Sequence, residues 1–255
     1  MAINRKYWLV AATIMLTLCC SSRKDKTTSD NDGAISTEQN LPGDSTVYGL
    51  ACDGCNDTIL VFLPRSGGDP DTFNILNASK EHRVMGHPMI GDKLAIIVNS
   101  TDPKVADLVI DIEQLRGEWC YMVQPILRQR AGGNLNALHQ HTKSSELDSV
   151  LQQLLQPREY GLEIKSGYTA RPIGMVRNMT SDEESPVEYP PLKRYREWHI
   201  FNGQLILNET SRDTLGNTTV ANSDTADIVM LRRDSMVLRI GEMQQGYYRK
   251  VKSEE

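Results

Sequence analysis

From residue 46 onward the chain is a succession of short apolar runs, each stopped within a few residues by a turn signal. TVYGLAC, TILVFLP, FNIL, KLAIIV and ADLVI follow one another to residue 112, separated by DG, SGGDP, GHP and GD. RGEWCYMVQP, EYGLEIK, YTARPIGMV, RYREWHIF, QLILNET, ADIVML, MVLRIG and GYYRKV carry the pattern on to residue 251. Runs of roughly four to eight residues bounded by Gly, Pro, Asn and Asp are strands, because no long helical period fits between the breakers. The chain is therefore expected to be all-β. Residues 46–112 read as a small β domain of the OB or SH3-like barrel sort. The runs in 114–251 are enough to close a second, larger antiparallel barrel. Trp198 and Ile200 alternate with Glu197, His199 and Phe201, which makes that strand half-buried, and Asn202–Gly203 after it is a two-residue hairpin turn.

One segment in the second region is helical in pattern. Within ILRQRAGGNLNALHQHTKSSELDSVLQQLLQ, Ser145 can cap a helix whose Leu147, Val150, Leu151, Leu154 and Leu155 share a face, and Pro157 ends it. A short helix with one apolar face lies on a core, here across the mouth or outer wall of the barrel.

The first twenty residues set the compartment. Arg5 and Lys6 precede the apolar run Trp8 to Leu18, which has the proportions of a secretory leader. As a helix that run spans only ~17 Å, against about 30 Å of bilayer hydrocarbon. The pair Cys19–Cys20 at its end resembles the lipobox of bacterial lipoproteins, in which a Cys at the cleavage site receives the lipid. Cys20 places a small residue before the cut, whereas Cys19 places Leu16 where that motif wants it, so both positions stand. Residues 21–45 have almost no apolar content and read as a flexible tether with a reach of roughly 25 to 30 Å. The expected location is the cell envelope, lipid-anchored at the outer membrane. A net charge of -5 removes the electrostatic basis for a nucleic-acid partner.

Cys52-x-x-Cys55 is the most conspicuous spacing in the first region. A thioredoxin-type centre needs a helix after the motif, and a zinc site needs two further ligands; neither is supplied. Asp53–Gly54 suits a type I′ hairpin turn, which sets Cys52 and Cys55 opposite each other and makes a cross-turn disulfide an expectation in an oxidising compartment. The remaining clusters are weak. His82 and His87 lie near turns, His139 and His141 offer only two imidazoles, and Asp182, Glu183 and Glu184 sit in a polar, Pro-flanked stretch. The sequence contains no G-x-S-x-G, H-E-x-x-H, P-loop or G-x-G-x-x-G, so neither an enzyme nor a metal or other cofactor is expected. Tripeptides starting at Asp44, Asp57, Asp148, Asp213, Asp224 and Asp234 resemble the general O-glycosylation signal of exported bacterial proteins, and are equally ordinary turn residues.

The order Gly117-x-Trp119, Trp198 before a hairpin, QLIL, DTADI, LRRDSMVLR and GYYRK resembles the bacterial lipocalin-like families of exported lipoproteins, over about residues 114–251. That resemblance implies an antiparallel barrel whose closed end is plugged by Trp119 and overlain by Arg249. Gly117, Trp119, Trp198 and Arg249 are in this reading residues of the fold. It also implies a small hydrophobic ligand in the barrel and no catalytic residues. The alternative is a filled barrel serving protein interaction at the envelope.

Overall fold

A computed structural model describes residues 41–127, 155–174, 187–212 and 216–251, all within one compact unit, Ala34–Glu255. The expected leader, Cys19 and Cys20, most of the expected tether, HQH, nearly all of the segment expected to be helical before Pro157, the 182–184 carboxylates and the tripeptides at Asp148 and Asp213 lie outside the described residues.

The N-terminal part is a six-stranded sheet built from β1 (Thr46–Ala51), β2 (Ile59–Pro64), β3 (Asp71–Asn74), β4 (Val84–Met85), β5 (Lys93–Val98) and β6 (Ala106–Asp111). Their order is β3-β2-β1-β5-β6-β4, antiparallel except for the β4–β6 pair. A parallel bridge from Asn74 to Val105 and a bond from Asn74 N–H to the Lys104 carbonyl at 2.7 Å roll β3 round toward the start of β6. Phe62 and Phe73 meet edge to face at 5.9 Å in its core, with Leu60, Leu94, Ile96 and Val109 around them.

The structure departs from three of the sequence expectations in this part of the chain. FNIL is not one strand: β3 stops at Asn74, whose side chain accepts from Leu76 N–H and starts the helix α1 (Leu76–Lys80). Asp53–Gly54 is not a type I′ turn, because only Gly54 has positive φ, at +94°. Asn56 Oδ1 accepts from the N–H groups of both Thr58 and Ile59, building a second, Asx-type turn, so β1 and β2 are joined by all of 52–58. Cys52 and Cys55 are free thiols and are not bridged; Cys55 Sγ donates to the carbonyls of Cys52 and Val61 at 3.1 and 3.4 Å.

The helix α2 (Ile112–Leu115), N-capped by Asp111, leads into the barrel. Its strands are β7 (Gly117–Val123), β9 (Arg158–Ile164), β10 (Ala170–Ile173), β12 (Glu197–Phe201), β13 (Gln204–Arg212), β14 (Thr218–Leu231), β15 (Ser235–Ile240) and β16 (Met243–Arg249); β8 (Ile126–Leu127) and β11 (Val187–Glu188) pair separately. The eight strands run β10-β9-β7-β16-β15-β14-β13-β12, every pair antiparallel. Last pairs with first, Arg249 opposite Trp119 and Tyr248 opposite Cys120. An antiparallel bridge Thr169–Glu197 and a bond from Ala170 N–H to the Arg196 carbonyl join the remaining edges, so the cylinder is nearly closed. The protein is mostly β, a six-stranded sheet followed by a nearly closed eight-stranded antiparallel barrel.

The small sheet packs against that barrel through a common core. Leu94, Ile96 and Val109 face the Phe62 cluster, whereas Ala95, Ile110 and Met85 belong to the cluster of Trp119, Trp198, Ile200 and Leu205. Strands buried on both faces need apolar residues at consecutive positions, which is why KLAIIV and DLVI do not alternate. Polar bonds fix the same contact: Tyr48 O–H donates to the Ile200 carbonyl at 2.7 Å, and Asn202 Oδ1 accepts from Ser45 N–H at 2.8 Å.

Candidate functional site

Trp119 anchors the start of the first barrel strand. It is 0% exposed, donates its indole N–H to the Leu115 carbonyl at 2.7 Å, and so ties the first strand to α2. The Arg249 guanidinium lies over the indole at 4.2 Å. It donates to the carbonyls of Arg116, Gln114 and Arg233, joining α2, the start of β7 and the β14–β15 turn. Gly117 leaves the room for this: a Cβ there would fall 2.3 Å from Arg249 Nη1, on a backbone with φ +140°. Trp198 donates to the Lys165 carbonyl at 2.9 Å and fills the same interior from the opposite wall. Gly117, Trp119 and Arg249 thus come together at the foot of β7, and Trp198, Leu162, Leu207, Met236 and Leu238 belong with Trp119 to one apolar floor of buried residues.

Asp111 sits beneath this foot, 1% exposed, with its carboxylate accepting from Gln114 N–H at 2.9 Å. Burial raises it to about 6 despite that bond and the nearby Arg249. Between its ordinary value of 3.8 and about 6 the folded chain binds a proton that the unfolded chain has released, so stability falls as pH rises through that window. Asp111→Asn keeps the cap and removes the charge. Denaturant unfolding should show the variant more stable than the parent above pH 6, by about 1 to 3 kcal/mol, and indistinguishable from it near pH 4.

Above the floor the lining changes character. Tyr121 meets Tyr160 at 6.3 Å and Tyr247 at 5.1 Å between ring centroids, both edge to face. Tyr195 belongs to the same core and comes from the segment before β12, on the far side of the sheet order from Tyr247. Tyr160, Tyr121 and Tyr247 form an aromatic collar, and Tyr195 belongs to the core against which Tyr247 packs. Burial raises the phenols of Tyr121, Tyr195 and Tyr247, so they stay protonated and present O–H groups. Tyr195 O–H donates to Asp224 Oδ2 at 2.5 Å, and Lys193 Nζ lies 2.9 Å from the same oxygen. Burial works to raise Asp224, but these two bonds outweigh it and hold the carboxyl below its usual range. With Asp224 and Lys193 beside Tyr195, these rings give this part of the barrel an amphipathic lining, the cup.

Residues 185–250 match the lipocalin-like family model. The match takes in β11 to β16, and with them Trp198, the Asn202–Gly203 hairpin and Arg249. Strand pairing attaches β7, with Gly117 and Trp119, to this lipocalin-like part. No curated protein and no solved structure matches the chain.

The collar is absent from the sequence expectations. Tyr121 follows Trp119 at strand spacing and Tyr247 precedes Arg249 in the same way, so the alternation that marks the floor also points at the collar. The other sequence candidates do not converge on the cup. His82 and His87 line a separate cleft with Cys55 and Leu231, and the described residues contain no group of three or more metal-ligating side chains. Of the Asp-Ser and Asp-Thr tripeptides, Thr58 and Thr225 are exposed, whereas Ser45 is bonded to Asn202.

Proposed function

We propose that this protein is a non-enzymatic lipoprotein of the cell envelope, anchored through lipid on Cys20 or Cys19 at the outer membrane, whose lipocalin-like barrel holds a small, largely hydrophobic molecule. What supports the reading is the nearly closed barrel, whose apolar core around Trp119 and Trp198 adjoins the tyrosines Tyr121, Tyr160, Tyr195 and Tyr247. An apolar body lies on the floor, and one polar group of the ligand meets Tyr121, Tyr247 or the Tyr195–Asp224 pair. Anchoring rests on the leader and the Cys pair of the sequence. Among the described residues no helix is long and apolar enough to cross a membrane. The filled-barrel alternative draws on the lower half, where Trp119, Leu205, Met236 and Leu238 leave no exposed surface.

Protein purified from its native host and extracted with organic solvent should release a stoichiometric small molecule, identified by mass spectrometry. The neutral probe N-phenyl-1-naphthylamine should bind the emptied protein. Tyr121→Phe and Tyr247→Phe should each weaken the extracted molecule about 2- to 10-fold, the value of one hydrogen bond. No extracted molecule and no probe binding would favour the interaction role. Intact mass of the native protein should exceed that of the polypeptide cleaved before the anchored Cys by the mass of the lipid.

A further inference from the structure

A second cleft, of about 450 Å³, opens where the small sheet meets the barrel, outside the cup. Its walls are aromatic and its rim is cationic. Tyr48, Tyr168 and Trp198 line it, with Tyr168 and Trp198 at 5.4 Å between centroids. The polar atoms of two of these rings are already engaged: Tyr48 O–H on the Ile200 carbonyl and Trp198 N–H on the Lys165 carbonyl. Trp198 is 2% exposed and only backs the cleft, so the half-buried rings of Tyr48 and Tyr168 supply the surface for an occupant.

Lys93, Arg65 and Arg116 stand around this surface, and no carboxylate lines it, in a chain whose net charge is -5. Arg116 is paired with Glu113, while Lys93 is exposed and forms no ion pair among the described residues. Arg116 is offset by Glu113 and Arg65 has an interaction of its own, so Lys93 supplies the charge that selects an anion.

The backbone adds an independent observation. Gly167 and Tyr168 both take left-handed φ, +73° and +60°. A tyrosine is disfavoured there, and such strain is retained where the surroundings use the side chain it positions. Here it holds the Tyr168 ring at the cleft against Trp198.

We propose that this inter-sheet cleft is a binding site for a small aromatic or alicyclic acid, its ring system packed on Tyr168 and Tyr48 and its anionic group held by Lys93 at a rim that also carries Arg65 and Arg116. The site lies outside the collar of Tyr121, Tyr160 and Tyr247 and shares with the barrel core only the buried Trp198.

The test uses the full chain and two naphthalene probes that differ in charge, 1-anilinonaphthalene-8-sulfonate and N-phenyl-1-naphthylamine. The sulfonate should show nuclear Overhauser contacts to Tyr168, Leu63 and Pro64. Lys93→Glu should weaken it at least about tenfold and Lys93→Gln less, while the neutral amine binds parent and variants alike. Added salt should weaken the sulfonate alone. Lys93 is exposed on β5, so both variants should fold, and unchanged binding of the neutral amine reports that they have. Equal sulfonate affinity in parent and Lys93→Glu, or contacts only to the collar tyrosines, would overturn the proposal.

Discussion

Trp119→Ala should destabilise the fold by about 3 to 5 kcal/mol, the cost of deleting a fully buried indole and leaving its cavity. The ring is 0% exposed and anchors the first strand to α2 through its N–H. Its loss also removes the surface under Arg249, a contact of roughly 0.5 to 2 kcal/mol. The guanidinium keeps its bonds to the carbonyls of Gln114, Arg116 and Arg233, so the foot is weakened without being unpinned. Trp119→Phe retains much of the volume and should lose less than half as much. Guanidinium unfolding of parent and variants measures both. A loss below about 1 kcal/mol would mean that Trp119 does not close the barrel.

Gly203→Val should cost about 2 to 4 kcal/mol, although the residue lies at a hairpin tip. Asn202 and Gly203 adopt φ of +49° and +76°, the pair of left-handed conformations of a type I′ turn, and a β-branched residue fits that region badly. The tip is also docked. A Cβ on Gly203 would fall 2.5 Å from Leu108 Cδ2 and 3.1 Å from Ile97 Cγ1, on strands of the small sheet. Asn202 bonds to Ser45 from the same place. The variant should therefore lower the melting temperature and speed hydrogen exchange in both sheets. An effect confined to the β12–β13 hairpin would show that the two sheets unfold separately.

Much of this architecture is legible in the sequence, for reasons that differ between elements. The strands of the barrel show themselves by alternation, as Trp198 and Ile200 do against His199 and Phe201, because one face is buried and the other wet. Asn202–Gly203 announces its turn through the conformations those residues tolerate. Asp53–Gly54 has the same signature and fails, because Asn56 supplies a competing side-chain acceptor one turn later. The helix α1 is too short to show a period. The docking of the two sheets is written in KLAIIV as an unbroken apolar run, which reads as burial but does not say against what. The collar is hidden more deeply. Tyr195 lies outside any strand, and only the closed barrel brings it to the cup with Tyr247, while Asp224 is a polar residue whose inward direction depends on the register Leu207–Asp224. The cationic cleft is hidden for the same reason, since Arg65, Lys93, Arg116 and Tyr168 are joined only by tertiary packing.

The pairing of first strand with last is tested most directly by nuclear Overhauser spectroscopy. Lys250 N–H bonds to the Glu118 carbonyl at 2.8 Å, which makes Trp119 and Arg249 a non-hydrogen-bonded antiparallel pair with facing α-protons. A strong contact between those two α-protons, with slow exchange of the Lys250 amide, is the predicted result. Absence of that contact together with rapid Lys250 exchange would mean an open sheet, and with it no barrel and no cup.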